Sequence, residues 1–298
     1  GGDAHKIGPC RFPDRPLQRH LEQEWVRVTG QRLAETFRLG SVLDHAGDDQ
    51  FAGVLQVLPL SLPVHLFLLT PGAPVRPQGQ RRAGQIDAEI ALQLCRAVAA
   101  ETEVALLPTL PYGCSIGHSQ RWPGTLALQP KTMIDLVKQI GDWVYASGFR
   151  RLFIINTHVT NFAPLRCALE MLRAEHDDLM VALINTGTLS ERVRARHFAD
   201  ADDWHANEAE TSLMLALAPD MARPDRFADA DDPDRTDGCV FAHPVNRTSS
   251  NGVTGTPSLA SQDKGEQLFA WMVQDLSALL ERGLKETPPL DQSYFNRA

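Results

Sequence analysis

An α/β fold with a mainly parallel sheet covered by helices is what this sequence predicts. Short apolar runs of strand length alternate with stretches whose apolar residues recur at helical spacing, and that alternation builds parallel strands joined by helices. The 298 residues, 43% of them hydrophobic, suffice for a substantial core in one large domain or a domain with an appendage. Residues 1–50 read as an N-terminal arm, and residues 51–298 as the α/β domain.

The arm mixes proline and charge with an amphipathic helix over Leu17–Phe37, where Leu21, Trp25 and Val28 share a face. Gly53–Pro59 reads as a buried strand. A second apolar run, Val64–Leu69, precedes a Gly/Pro/Arg-rich loop from Thr70 to Gly84, long enough to lie over a site or to be mobile. Ile90, Leu94 and Val98 place a helix over Asp87–Ala100, and Val104–Pro108 is the next strand. Met133, Val137, Ile140 and Val144 define a helix that stops at Gly148. Then come a strand Arg151–Asn156, a helix Phe162–Glu175 and a strand Leu179–Asn185. Asp225–Asp237 reads as a solvated acidic loop, and a helix from Gly265 to Leu284 closes the chain.

Composition narrows the function classes. A formal charge of -8 and a pI of about 5.7 give no broad attraction to nucleic acid or an anionic membrane, so a small-molecule partner is expected. The five cysteines, Cys10, Cys95, Cys114, Cys167 and Cys239, are widely spaced without a C-x-x-C pair, which argues against a disulfide framework or thiolate zinc site. No apolar run reaches membrane-spanning length and no secretory pattern opens the sequence; a cytoplasmic location is expected.

Two segments carry chemistry. Asp203-Trp204-His205-Ala206-Asn207-Glu208-Ala209-Glu210-Thr211-Ser212 crowds carboxylates around an imidazole just before the apolar helical run Leu213–Leu217. Charges that close repel one another and lose hydration unless a cation or a hydrogen-bond network compensates. The alternative is a solvated turn whose acids favour a helix N-terminus. His158 follows the strand Arg151–Asn156, at the edge where α/β sheets bind ligands, and Asn156 and Asn161 flank it as hydrogen-bond partners. The alternative there is a loop histidine bonded to nearby backbone.

The chain resembles the creatininase family. Pro111-Tyr112-Gly113-Cys114-Ser115-Ile116-Gly117-His118, running on to Trp122-Pro123-Gly124-Thr125, is similar to Y-G-x-S-x-x-H and F-P-G-T. Asn156-Thr157-His158-Val159-Thr160-Asn161 resembles N-G-H-G-G-N. The Asp203–Ser212 stretch matches D-x-H-A-G-E-x-E-T-S with Asn207 in place of the glycine, and Gly252-Val253-Thr254-Gly255-Thr256-Pro257 with Ala260, Lys264 and Gly265 resembles G-x-x-G-D-P-x-x-A-x-x-x-K-G. The resemblance runs over residues 53–284.

It implies an α/β/α sandwich, assembled as a homo-oligomer such as a hexamer, whose divalent metals (zinc, manganese or iron) help hydrolyse C–N bonds of small, sometimes cyclic, amides. His158 and Glu210 would be metal ligands, with Asp87 entering its helix as the family's T-D-x-x-I-A aspartate does. A helix-terminal carboxylate is the alternative for Asp87. His205 and Glu208 would serve catalysis, and Ser115, Trp204 and Tyr112 would bind substrate, while His118 is expected to brace the pocket rather than ligate. The family's first cluster, E-x-H-G-x-H-L-P, is altered. Ser61-Leu62-Pro63-Val64-His65 lacks its glutamate, and His65 is either a shifted ligand or a strand histidine satisfied by backbone. One zinc-like ion rather than two follows, in a metal-dependent hydrolase of amide-type C–N bonds. The alternatives are an enzyme of the same scaffold turned to elimination, isomerisation or cyclisation, and a non-catalytic degenerate subunit.

Overall fold

The computed structural model describes residues 66–70, 86–102, 104–122 and 125–290. The expected arm of residues 1–50 with its helix, the strand Gly53–Pro59, the loop after Thr70 and His65 lie outside the described residues.

Among the described residues the strands are β1 (Leu66–Thr70), β2 (Ala105–Leu106), β3 (Arg151–Asn156) and β4 (Met180–Asn185), all parallel, in the order β2-β1-β3-β4. β1 and β3 pair from Leu66↔Leu152 to Thr70↔Asn156. Helices α1 (Ile86–Thr102), α2 (Ile116–Arg121), α3 (Pro130–Ala146), α4 (Phe162–Glu175), α5 (Glu191–His197), α6 (Glu208–Leu217) and α7 (Gln262–Lys285) connect and cover them. β3 and α4 have the predicted bounds. The strand expected over Val104–Pro108 shrinks to two residues, and α2 and α5 are too short to show a helical period in the sequence.

Side chains of β3 alternate between two cores because successive residues of a strand face opposite sides. Phe153 and Ile155 meet Ile90, Leu94, Leu213, Leu268 and Met272 from α1, α6 and α7. Leu152 and Ile154 meet Met133, Val137, Leu165 and Leu172 from α3 and α4. The result is an α/β/α sandwich. α7 lies so close to α6 that a Cβ on Gly265 would fall 1.9 Å from the Ser212 carbonyl oxygen, which only glycine tolerates. Among the described residues no helix is long and apolar enough to cross a membrane.

Chain order reverses between β1 and β3: β2 lies outside β1, and β4 outside β3. In parallel sheets the C-terminal edge at such a reversal is where ligands bind. Asp87 stands at the start of the helix after β1, and His158 two residues beyond β3.

Candidate active site

A cavity of about 330 Å³ opens at this edge, lined by His158, Phe162, Asn185, Trp204, His205 and Glu210 among others. The ends of β3 and β4 are tied by Asn156 Nδ2 donating to Asn185 Oδ1 at 2.8 Å. Asn156 also grips the His158 backbone, donating to its carbonyl at 2.9 Å and accepting from its N–H at 3.3 Å. The flanking asparagines thus hold the main chain of His158 rather than its ring. The ring sits by Thr160, whose Oγ1 lies 2.8 Å from Nδ1, and by Ser115, whose hydroxyl is 3.4 Å from Nδ1 and 3.1 Å from Thr160 Oγ1. Ser115 is buried, and its backbone is fixed by the neighbouring Cys114 N–H donating to Asn161 Oδ1 at 2.8 Å.

The acidic stretch divides. Asn207 caps α6 by accepting from Glu210 N–H at 3.2 Å, and donates to Asp200 Oδ1 and the His197 carbonyl, each at 2.7 Å. Glu210 Oε2 accepts from Ala206 N–H at 2.6 Å, a contact made possible by the left-handed backbone of Ala206 at φ 48°. Burial pushes the Glu210 carboxyl up to about 7, with the nearby Asp200 charge adding to the rise and the Ala206 N–H opposing it. Glu208 faces elsewhere. Arg196 Nη2 donates to its two oxygens at 3.0 and 2.8 Å, and Lys264 Nζ lies 2.9 Å from Oε1. Glu208, expected as a catalytic group, is the buried anion of an ion-pair network; like Asp87 and Ser115, it is not among the residues that line the cavity. It parts from Glu210 because residues two apart on a helix point to nearly opposite sides.

Asp87 is 4% exposed, and its Oδ1 has no hydrogen-bond partner among the described residues. Burial, then the Glu210 charge, raises its pKa well above the ordinary carboxylate range. Its backbone carbonyl accepts from Thr157 Oγ1 at 3.3 Å, so Asp87 lies against the residue preceding His158.

Three imidazoles cluster here. His118 lies 4.1 Å from His205 and 6.0 Å from His158 between ring centroids, and His158 lies 5.3 Å from His205. Burial, then the neighbouring imidazoles, depresses His158 well below the usual range and His118 to about 3. Burial lowers His205 to about 4, against the pull of the Gly252 carbonyl, 2.6 Å from Nδ1. The carboxylates of its own segment are not among the causes of that shift. Because the carbonyl can only accept, Nδ1 carries the proton and Nε2 is the basic nitrogen.

Trp204 lines the cavity and stacks on His197 at 4.7 Å, with Phe198 edge-on at 6.0 Å. Tyr112 is not among the residues that line the cavity: it is 47% exposed, and the chain becomes buried from Gly113 onward. Sequence reasoning missed Gly252, although two left-handed glycines close together, Gly252 and Gly255, mark a shaped turn. Nothing in the local sequence marks Asp200, whose Oδ2 takes Glu208 N–H at 3.1 Å and Thr256 N–H at 2.7 Å.

A divalent cation fits this donor set. Two buried carboxyls with raised pKa values, one with an orphaned oxygen, beside a neutral imidazole are the charge deficit that such an ion relieves. Their ligand atoms do not form a compact triad: among the described residues, three such atoms lie within 4.8 Å of one another only in the Asp142, Glu175 and His176 group. That group already holds the ammonium of Lys138, 2.7 Å from Asp142 and 2.5 Å from Glu175.

Comparison with known proteins identifies the family. The family model described as creatinine amidohydrolase matches residues 77–280. Creatinine amidohydrolase of Pseudomonas putida is 27% identical over 237 residues, 74% of this chain and 90% of that protein. A mycofactocin precursor peptide peptidase of Mycobacterium tuberculosis (strain CDC 1551 / Oshkosh) is 30% identical over 183 residues, 59% of this chain and 65% of that protein. A crystal structure of creatininase matches with a TM-score of 0.64 at 25% identity, covering 74% of this chain and 92% of that one. Another, a manganese creatininase, matches with a TM-score of 0.65 at 24% identity, covering 75% and 92%. The order of the motifs, the sandwich and the matched span agree: this chain belongs to the creatininase family.

Proposed function

We propose that the protein is a metal-dependent hydrolase of an amide-type C–N bond in a small molecule, with residues 51–298 as its catalytic domain. Asp87, His158 and Glu210 would hold the cation, one per chain, zinc being the ion that best suits two carboxylates and an imidazole. His205 would transfer the proton, and Ser115 and Trp204 would contact the substrate. The observation that carries this reading is the pair Asp87 and Glu210, buried, mutually repelling, and with Asp87 Oδ1 unpartnered among the described residues.

When bound, the cation supplies Lewis acidity, polarising a carbonyl and acidifying water. Everything else falls to the chain. Trp204 and Phe162 offer apolar faces to a small substrate, which the cavity's size admits. Burial keeps His158 neutral, the form that donates a lone pair. His205, neutral with its free Nε2 basic, can accept a proton from a nucleophile and return it to the leaving nitrogen. Glu208 keeps α6 anchored to α5 and α7 through Arg196 and Lys264.

Elemental analysis of the purified protein should find about one zinc-like ion per chain, lost in Asp87→Asn and Glu210→Gln. A panel of linear and cyclic amides, followed by release of amine or carboxylate, should yield a substrate whose turnover depends on that ion. Metal-free protein whose turnover ignores chelators would sink the reading. Two tight ions would replace its single-ion form.

A further inference from the structure

The segment Asp231–Arg235, read from the sequence as a solvated acidic loop, is in part buried and spends its carboxylates on three other loops. Asp231 accepts from Ser258 N–H at 2.9 Å and from its hydroxyl at 2.5 Å. Asp234 Oδ2 accepts from the N–H groups of Asp202 and Asp203 at 3.0 and 2.9 Å. Asp232, only 4% exposed, reaches the turn that ends against His205.

The path is short. Asp232 Oδ2 accepts from Ser249 Oγ at 2.9 Å and Ser250 N–H at 2.8 Å. Ser249 Oγ in turn accepts from Gly252 N–H at 2.8 Å and lies 2.7 Å from the Val253 carbonyl. Gly252 adopts φ 95° and packs under Trp122, and its carbonyl lies 2.6 Å from His205 Nδ1. Paired backbone bonds hold the flanks: Asp232 exchanges two with Gly255, at 3.1 and 2.8 Å, and His205 two with Thr254, at 3.0 and 2.8 Å. Arg235 donates to Asp232 Oδ1 at 2.5 Å and to the Thr248 carbonyl at 2.9 Å, closing the near side of the turn. This guanidinium, ahead of the serine contacts, holds the Asp232 carboxyl down to about 2, so it stays charged.

We propose that Asp232 is a positioning residue for His205, fixing the Ser249–Thr254 turn so that the Gly252 carbonyl sets the tautomer and direction of the imidazole. This rests on the reading of His205 as the acid/base group. Asp232 does not touch the imidazole or the cavity. Its effect comes from geometry: a carbonyl displaced by about 1 Å releases the ring, and misplacements of that size cost about a hundredfold in rate. A charged acceptor buried under three donors is suited to that task, because charge-assisted hydrogen bonds are shorter and stronger than neutral ones.

The test needs no known ligand for its first readout. In full-length protein labelled with 15N-histidine, the Nδ1–H proton of His205 should give a downfield resonance that is missing in His205→Asn. Asp232→Ala and Ser249→Ala should move or abolish it, and Asp231→Ala, on the same segment but bonded to Ser258, should leave it in place. On a substrate found with the amide panel, the first two variants should lower kcat by about tenfold to a hundredfold with KM little changed. Should Asp232→Ala fail to fold, Ser249→Ala carries the test. Absence of the resonance from the native spectrum, or its persistence in both variants, overturns the proposal. A moved resonance with unchanged kcat would uphold the positioning and overturn the role of His205 as acid/base group instead.

Discussion

His197 lies stacked on Trp204, ring centroids 4.7 Å apart, with neither of its buried nitrogens hydrogen-bonded among the described residues. Burial, then the Arg196 charge, lowers its pKa to about 4, so it packs as a neutral ring that forgoes two hydrogen bonds. An unpaired buried polar group costs about 1–3 kcal/mol, and an apolar ring of similar shape avoids that cost. His197→Phe is therefore expected to leave the thermal midpoint unchanged or raise it by a few degrees. Gly187→Ala should do the reverse, because its Cβ would stand 2.6 Å from Trp204 Cζ2. A clear loss of stability in His197→Phe, measured by calorimetry, would mean that the ring nitrogens have a partner such as buried water.

Opposing titrations should give the metal-free protein a stability maximum in mild acid. Glu210 is raised from 4.5 to about 7, so its contribution is full below its unfolded value and is lost as pH climbs through 7. His205 and His118 are lowered from 6.5 to about 4 and about 3; their contribution is full above 6.5 and is lost as pH falls toward those values. In Glu210→Gln the decline on the alkaline side should flatten while the acid side persists. Thermal melts in chelator between about pH 3 and 8 would show this, and an unaltered alkaline decline would count against the assignment.

Glu208 and Glu210 should part company under substitution. Glu208→Gln leaves the part-exposed Arg196 and Lys264 facing a neutral group, which is expected to cost about 1–3 kcal/mol while sparing metal content. Glu210→Gln is expected to lose the metal and keep the fold. Denaturant unfolding paired with elemental analysis separates the two, and metal loss in Glu208→Gln would reinstate it in the site.

His205→Asn should fold and retain metal yet turn over the substrate at least about a hundredfold more slowly. Equal loss of metal would make His205 a ligand.

Much of this was legible in the sequence because it is periodic or contiguous. The continuous apolar run of β3 and the helical spacing in α4 gave their own bounds, and a strand ending at Asn156 placed His158 at the ligand-binding edge. Roles set by distant partners were not. Glu208 reads as one more acid in a cluster until Arg196, twelve residues back, is seen to claim it. Asp232 reads as solvated because Ser249, whose hydroxyl donates to it, lies 17 residues away. Tyr112 belongs to a matching motif, but matching residues fix identity and leave side-chain direction to the local turn.

The reversal of chain order between β1 and β3 also sets when the site can exist. The Thr157 bond to Asp87 spans 70 residues and the His205 bond to Gly252 spans 47, so neither can form from a local segment. Contacts of such separation must close large loops before they return any energy, which places them late in folding. During synthesis, a chain halted before Gly252 would have the residues of β1 to β4 and all three proposed ligands but no carbonyl for His205. Truncated or stalled products should therefore be chemically silent, and proton-transfer chemistry becomes available only once nearly the whole domain has emerged.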